Sequence, residues 1–241
     1  MLTMDERKRY HRQIDTVGTE GQEKLKNARI LLAGAGGLGT AAATYLTVAG
    51  IGFIRVADCD VIEESNLNRQ ILHWQADLGR QKTQSVAEKL RQMNPYVHVD
   101  TVTQRIDESN IQALTVDVDL IVDAMDNFET RYLLNRMAIA RRIPLFHGAI
   151  RELYGQAATL LPGQTACLRC IFVEGPKAAA FPVLGATAGI VASIQTTEII
   201  KYLTGKGELL TNRLLLWDGL HSTVDIIKVG KNPHCIDCGG I

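Results

Sequence analysis

The 241 residues carry 26 lysines and arginines against 26 aspartates and glutamates, and the isoelectric point is near neutral. That balance argues against a surface built for nucleic acid or an anionic membrane. The length suits one large domain with a substantial core, and the charged first nine residues lack the apolar centre of a secretion signal, so a cytoplasmic protein is expected.

The chain opens on two polar helices, expected over residues 4–15 and, capped by Thr19, over 19–27. Residues 28–33 then form an apolar run that reads as a strand buried on both faces. Gly34-Ala35-Gly36-Gly37-Leu38-Gly39 follows at once and satisfies the G-x-G-x-x-G spacing, with a small-residue helix expected over 38–49. Strand, glycine turn and helix are the context a phosphate-binding loop requires: glycines let backbone approach a phosphate, and the helix start offers it unpaired N–H groups. A second strand, 53–57, ends at Asp58, about 20 residues on, where an acid can accept from a ribose hydroxyl. The same glycines also serve as a tight turn in any α/β domain.

After Asp58 the loop from Cys59 to Gln70 packs acids, amides and an arginine together, a density that suggests a ligand wall. Gly79-Arg80-Gln81-Lys82 leads a helix to Met93, which Pro95 stops. Strands are expected over 97–103 and 120–123, the latter running into Asp123-Ala124-Met125-Asp126-Asn127. A helix over 128–141 returns to a strand over 145–149. The alternation predicts a Rossmann-like, mostly parallel sheet with helices on both faces. The rhythm changes at 155–161, a strand reached through a short turn, so antiparallel members join there. A helix over 187–203 and a closing hairpin of 213–217 with 223–229, turning at Asp218-Gly219, complete the chain. The apolar stretch 178–200 is broken by Pro182, Gly185, Gln195 and Glu198 and reads as buried helix, not a membrane span. One domain is expected, with residues 1–27 as N-terminal helices, 28–150 as the nucleotide-binding part and 151–241 as antiparallel strands, crossover segment and cysteine knuckle.

Four of the five cysteines form two C-x-x-C pairs, Cys167/Cys170 and Cys235/Cys238. Four thiolates suit a closed tetrahedral Zn²⁺ site, which has no open position and is therefore structural. Paired thiols without metal and an iron–sulfur cluster are the rivals. His234 is surplus to that shell and expected to be exposed, and the terminal Gly239-Gly240-Ile241 is taken as a loop end. Cys59 is read as a small apolar filler.

The set Arg9-Tyr10-His11-Arg12-Gln13, the glycine loop, Asp58-Cys59-Asp60, Ser65-Asn66-Leu67-Asn68-Arg69-Gln70, Gly79-Arg80-Gln81-Lys82, Asp123-Ala124-Met125-Asp126-Asn127 and both cysteine pairs, in this order, resembles the E1-like adenylating enzymes of the ThiF/MoeB/HesA family. The resemblance spans essentially the whole chain. It implies ATP-dependent adenylation of the C-terminal glycine of a small ubiquitin-like sulfur-carrier protein with release of pyrophosphate, by a homodimer with structural zinc. It places Gly37 at the phosphates, Asp58 on the ribose, and Ser65, Asn66, Leu67, Asn68 and Arg69 along the nucleotide. Arg69 and Lys82 would face the α-phosphate, Asp126 would hold Mg²⁺ with Asn127 beside it, and Arg12 would reach the partner subunit's polyphosphate. Asp126 also reads as a helix N-cap.

Family members that link covalently to the carrier use a cysteine in the crossover connection, and residues 172–186 contain none. Adenylation without a covalent cysteine intermediate is therefore expected, with sulfur brought by a separate donor protein. Molybdopterin, thiamine, tRNA-thiolation and cysteine-synthesis systems all remain open. An NAD-dependent oxidoreductase would share the glycine loop and Asp58 but gives no reason for Asn66, Arg69, Lys82, Asp126 or the knuckle. A non-catalytic scaffold for a ubiquitin-like partner is the third reading.

Overall fold

The computed structural model describes residues 1–175 and 181–239. Part of the crossover stretch, 176–180, and the terminal Gly240 and Ile241 lie outside the described residues.

Eight strands form one sheet in the order β3-β2-β1-β4-β5-β6-β7-β8. The first five are β1 (Arg29–Ala33), β2 (Phe53–Ala57), β3 (His98–Val102), β4 (Leu120–Asp123) and β5 (Leu145–Arg151), and all their pairings are parallel. The sheet is extended antiparallel by β6 (Tyr154–Leu160), β7 (Arg213–Asp218) and β8 (Thr223–Lys228). This is the expected mostly parallel sheet with antiparallel additions. The strand order reverses between β1 and β4, and ligands of open α/β sheets sit beyond the strand ends at such a switch point.

Alternation along β1 divides the core. Ile30 and Leu32 join an apolar cluster on one face with residues of α3 (Gly37–Ala49), α4 (Lys82–Met93) and α8 (Gly185–Thr204). Leu31 and Ala33 join a second cluster with α5 (Ile111–Leu114) and α6 (Phe128–Arg141). Side chains alternate across a strand, so a strand covered on both faces must be apolar throughout. That is why β1 reads as a continuous apolar run.

The glycine bend is a packing requirement as well as a cradle. Gly34 has φ +99°, and a Cβ there would lie 2.7 Å from the Ala124 carbonyl oxygen. At Gly39 a Cβ would lie 2.0 Å from the Gly34 carbonyl oxygen. These two positions let α3 start directly against the ends of β1 and β4.

One local expectation needs correction. The first helix does not run through residue 15: α1 (Met4–Arg9), held by a Thr3/Glu6 capping box, ends at Tyr10, whose side chain is buried and accepts from Asn94 Nδ2 at 2.9 Å. α2 (His11–Asn27) then breaks at Gly18, φ +80°, and the stretch beyond the break, from Thr19 through Asn27, is the expected second helix. Cys167 is the N-cap of a short helical turn, α7 (Leu168–Ile171), which carries Cys170. No helix among the described residues is long and apolar enough to cross a membrane.

Candidate active site

Three loops leave the C-terminal ends of β1, β2 and β4 and enclose a cavity of about 520 Å³. Gly36 and Gly37 form one wall, Asp58, Asn66 and Arg69 a second, and Asp126 and Asn127 a third, with Lys82 at the start of α4 between them. Seven of the residues expected at a nucleotide therefore share one cleft. Ser65, Leu67 and Asn68 belong to the same loop but do not line the cavity. Arg12 is exposed on α2, also away from it.

The cleft is suited to an anion. Gly36 is the N-cap of α3 and no side chain caps that end, so the first N–H groups of a 13-residue helix are left for a ligand. A Cβ on Gly36 would meet only Gln70 Nε2, at 3.9 Å, so an open cradle lies over the bend. Lys82 is 6% exposed, and its Nζ donates to Asp60 Oδ2 at 2.7 Å. Arg69 donates to the Ser65 carbonyl at 2.7 Å and to Asn68 Oδ1 at 3.0 Å. Gln70 lines the cavity as well, and its buried Oε1 takes no donor among the described residues.

Asp58 Oδ2 accepts from the Ala35 N–H at 2.7 Å and Oδ1 from the Asp60 N–H at 2.8 Å. Each oxygen keeps a second lone pair for a hydroxyl. Burial pushes its pKa up, while Lys82 and the two N–H donors pull it back. Asp126 is exposed beside the cleft and meets Asn127 Nδ2 at 3.3 Å. The N-cap of α6 is Asn127, not Asp126: Asn127 Oδ1 accepts from the Thr130 N–H at 2.9 Å. That division leaves the Asp126 carboxylate turned to the cleft's rim and not tied to the helix.

The loop carrying Asp126 is pinned from beneath. Asp123 Oδ2 accepts from His147 Nδ1 at 2.7 Å, and the Met125 N–H donates to Asp123 Oδ1 at 3.1 Å. Arg131 donates to the Met125 carbonyl and lies 3.5 Å from Asp123. Burial drives the His147 pKa down, against the pull of Asp123. Arg131 lines the cavity too and went unremarked in the sequence, where an arginine in a helix looks like any surface cation. Gln104, Arg105 and Ile106, just after β3, were missed as well; following a parallel strand's C-terminal end was the signal that could have found them.

Cys59 is not a buried filler. The loop after β2 leaves it exposed in the cavity wall, with Sγ 3.6 Å from Asp60 Oδ1. Burial and then the carboxylates Asp60 and Asp58 push its pKa up, which works against thiolate formation.

Far from the cleft, Cys167, Cys170, Cys235 and Cys238 bring their sulfurs within 4.8 Å of one another, an arrangement that could hold a metal ion. Neighbouring Sγ distances are 3.9, 3.7 and 3.4 Å. A tetrahedron with bonds of about 2.3 Å has edges of about 3.8 Å, so the set fits a four-thiolate centre. Asn135 links it to α6, donating to Asp237 Oδ2 at 2.7 Å and accepting from the Leu168 N–H at 2.9 Å. His234 is exposed, as expected.

The order of the sheet and the cleft at its switch point are those of a Rossmann-like α/β protein, here with a thiol knuckle appended. Crystal structures of E. coli MccB share this fold: the complex with ATP matches at a TM-score of 0.86 and 23% identity, over 96% of this chain and 74% of that one. The ThiF family model matches residues 10–237, and the chain belongs to the ThiF family. It is 44% identical over 239 residues to a SAMP-activating enzyme E1 of Haloferax volcanii, across 96% of this chain and 88% of the relative. It is 39% identical over 250 residues to a sulfur carrier protein adenylyltransferase of Thermus thermophilus, across 98% and 92%.

Proposed function

We propose that this chain is an ATP-dependent adenylyltransferase that activates the C-terminal glycine of a small ubiquitin-like sulfur-carrier protein. The observation that carries the reading is the convergence of the glycine bend, Arg69, Lys82 and Asp126 on one cleft. The names of the relatives in Haloferax volcanii and Thermus thermophilus support the substrate class.

In this reaction a carrier carboxylate oxygen attacks the α-phosphorus of ATP. The new bond is an acyl–phosphate linkage, and the bond to the β-phosphate breaks, so pyrophosphate leaves with the electron pair. Negative charge grows on the α-phosphate oxygens, and fixed positive groups offset it. Arg69 and Lys82 fill that role, Gly37 and the uncapped start of α3 receive phosphate oxygens, and Asp58 accepts from the ribose. Asn66 lines the nucleotide directly, with Ser65, Leu67 and Asn68 shaping its loop. Asp126, with Asn127 beside it, holds Mg²⁺, which neutralises polyphosphate charge when bound; one carboxylate plus phosphate oxygens suits that ion. Arg12 lies outside its own subunit's cleft and serves the partner's site in a homodimer. The four cysteines hold Zn²⁺ as a structural ion. The protein works in the cytoplasm as one domain, and a separate protein donates sulfur.

The absence of a cysteine from residues 172–186 supports adenylation without a covalent cysteine step. A Cys59→Ala variant should keep full activity. A reductant-sensitive enzyme–carrier adduct would refute that part alone.

The deciding experiment is carrier-dependent exchange of labelled pyrophosphate into ATP, with parallel titrations of ATP and NAD in magnesium. Exchange that requires the carrier supports the reading. Tight NAD binding would favour an oxidoreductase, and carrier binding without exchange a scaffold.

A further inference from the structure

One buried histidine outside the motifs above touches the glycine bend. His73, 3% exposed, lies between the ligand loop and α4. Its Nε2 is 3.1 Å from the Ala35 carbonyl oxygen, and its Nδ1 is 3.1 Å from Ser85 Oγ. Ser85 Oγ in turn accepts from Lys89 Nζ at 2.8 Å.

The direction of these bonds is fixed by chemistry. A carbonyl only accepts, so Nε2 carries the ring proton. A neutral ring has only one, so Nδ1 accepts, and the Ser85 hydroxyl donates to it in preference to the Leu72 carbonyl at 3.3 Å. The result is a one-way chain from Lys89 through Ser85 and His73 to Ala35. The ring stays neutral because burial pushes its pKa down to about 4, against the pull of the Ala35 carbonyl and, less, of Asp77, and with the help of Lys82 and Lys89.

Ala35 is thereby gripped at both ends. Its N–H donates to Asp58 Oδ2 at 2.7 Å, and its carbonyl is held by His73. The Ala35–Gly36 peptide is trans, so its C=O and N–H point in opposite directions. Holding the carbonyl inward turns the Gly36 N–H outward, and Gly36 lines the cavity. That N–H takes no acceptor among the described residues.

We propose that His73 is a positioning residue of the nucleotide site, which locks the Ala35–Gly36 peptide so that the Gly36 N–H faces a phosphate of the bound nucleotide. This rests on the adenylyltransferase reading and deepens it, by naming what orients the phosphate cradle. Asp58 and His73 act together: one element of the site that touches the sugar and one that touches nothing of the ligand fix the same residue from opposite sides.

The test compares wild type, His73→Leu and His73→Gln by calorimetric titration with Mg-ATP and, separately, with adenosine. A glutamine can donate to Ala35 and accept from Ser85, whereas leucine can do neither. His73→Leu should weaken ATP about tenfold or more, the scale of one hydrogen bond to a charged group, and leave adenosine within about twofold. His73→Gln should recover most of the ATP affinity. In pyrophosphate exchange the loss should appear chiefly in the KM for ATP.

Equal weakening of ATP and adenosine by His73→Leu would make the residue merely structural and overturn the proposal, as would unchanged ATP affinity. If His73→Leu does not fold, Ser85→Ala removes the hydroxyl that holds the ring from its other nitrogen. It should weaken ATP several-fold with adenosine unchanged, and no change in ATP binding would overturn the proposal equally. A wild type that binds no ATP sinks the enzyme reading as well, whereas wild-type binding that His73→Leu leaves intact sinks this proposal alone.

Discussion

Lys82 Nζ donates to Asp60 Oδ2 across 2.7 Å, and the Lys82 N–H donates to the Asp60 carbonyl at 3.0 Å, so the first residue of α4 is fastened twice to the loop after β2. The lysine is 6% exposed while the aspartate side chain is 61% exposed. A buried ammonium is thus held at the cleft by a carboxylate that stands largely in water.

That asymmetry separates the two residues' roles. Lys82→Ala should lower pyrophosphate exchange by about 10²–10³-fold, the scale of removing one transition-state donor, with ATP binding reduced much less. Asp60→Asn keeps the cation but removes its restraint. It should raise the KM for ATP a few-fold and lower the melting temperature slightly, as expected for a pair with one exposed member. Equal losses from both substitutions would contradict the division.

Asp126 makes a second prediction through its exposure at the rim. Because Asn127 supplies the helix cap and the Asp126 side chain secures nothing in the core, Asp126→Asn should leave the melting temperature within about a degree. Exchange activity should fall about a hundredfold at low magnesium and recover partly as magnesium is raised. Asn127→Ala should do the reverse, costing about 1 kcal/mol of stability through removal of the cap.

The sequence exposed the sheet's parallel half because β1, β2 and β4 are buried on both faces and their ends carry Gly34, Asp58 and Asp126. Apolar runs and end residues are local features, visible along the chain itself. The residue types of the loop carrying Asn66 and Arg69 already suggested a ligand wall, whereas bringing Lys82 to it was reachable only through the family resemblance. His73 and Arg131 were not legible: each acts through a backbone carbonyl, at Ala35 or Met125, and a main-chain partner leaves no residue type to recognise. The break at Tyr10 was hidden for a similar reason. Its helical pattern continues, and only the distant Asn94 rewards turning the ring inward.

The cysteine knuckle gives a third prediction. Purified protein should carry one zinc per chain, and a chelator should lower the melting temperature by several degrees, because metal affinity is folding energy for the tail it ties down. Cys238→Ser should do the same. Since Asn135 couples the knuckle to α6, amide exchange should speed up along residues 132–139 in the stripped protein. Unchanged exchange there would mean that α6 does not depend on the metal.

Acid stability offers a direct reading of the buried histidine. In the unfolded chain His73 takes up a proton near pH 6.5, but the native state refuses it until about pH 4, because burial opposes the charge. The unfolded state therefore binds more protons in that window, and stability present above pH 6.5 is lost as pH falls toward 4. The displacement corresponds to about 3 kcal/mol. His147 is fully buried with its pKa also lowered and acts in the same direction. Asp77 belongs to a lower window: burial raises its pKa, but Lys89 and the Trp74 N–H outweigh that and bring it to about 2, so its contribution fades only below about pH 3.8. Urea unfolding from pH 7.5 to 4 should show a falling stability for wild type and a visibly shallower fall for His73→Gln, which keeps the bonds and loses the titration. Parallel curves for the two proteins would place the proton uptake elsewhere, with His147 the first group to substitute.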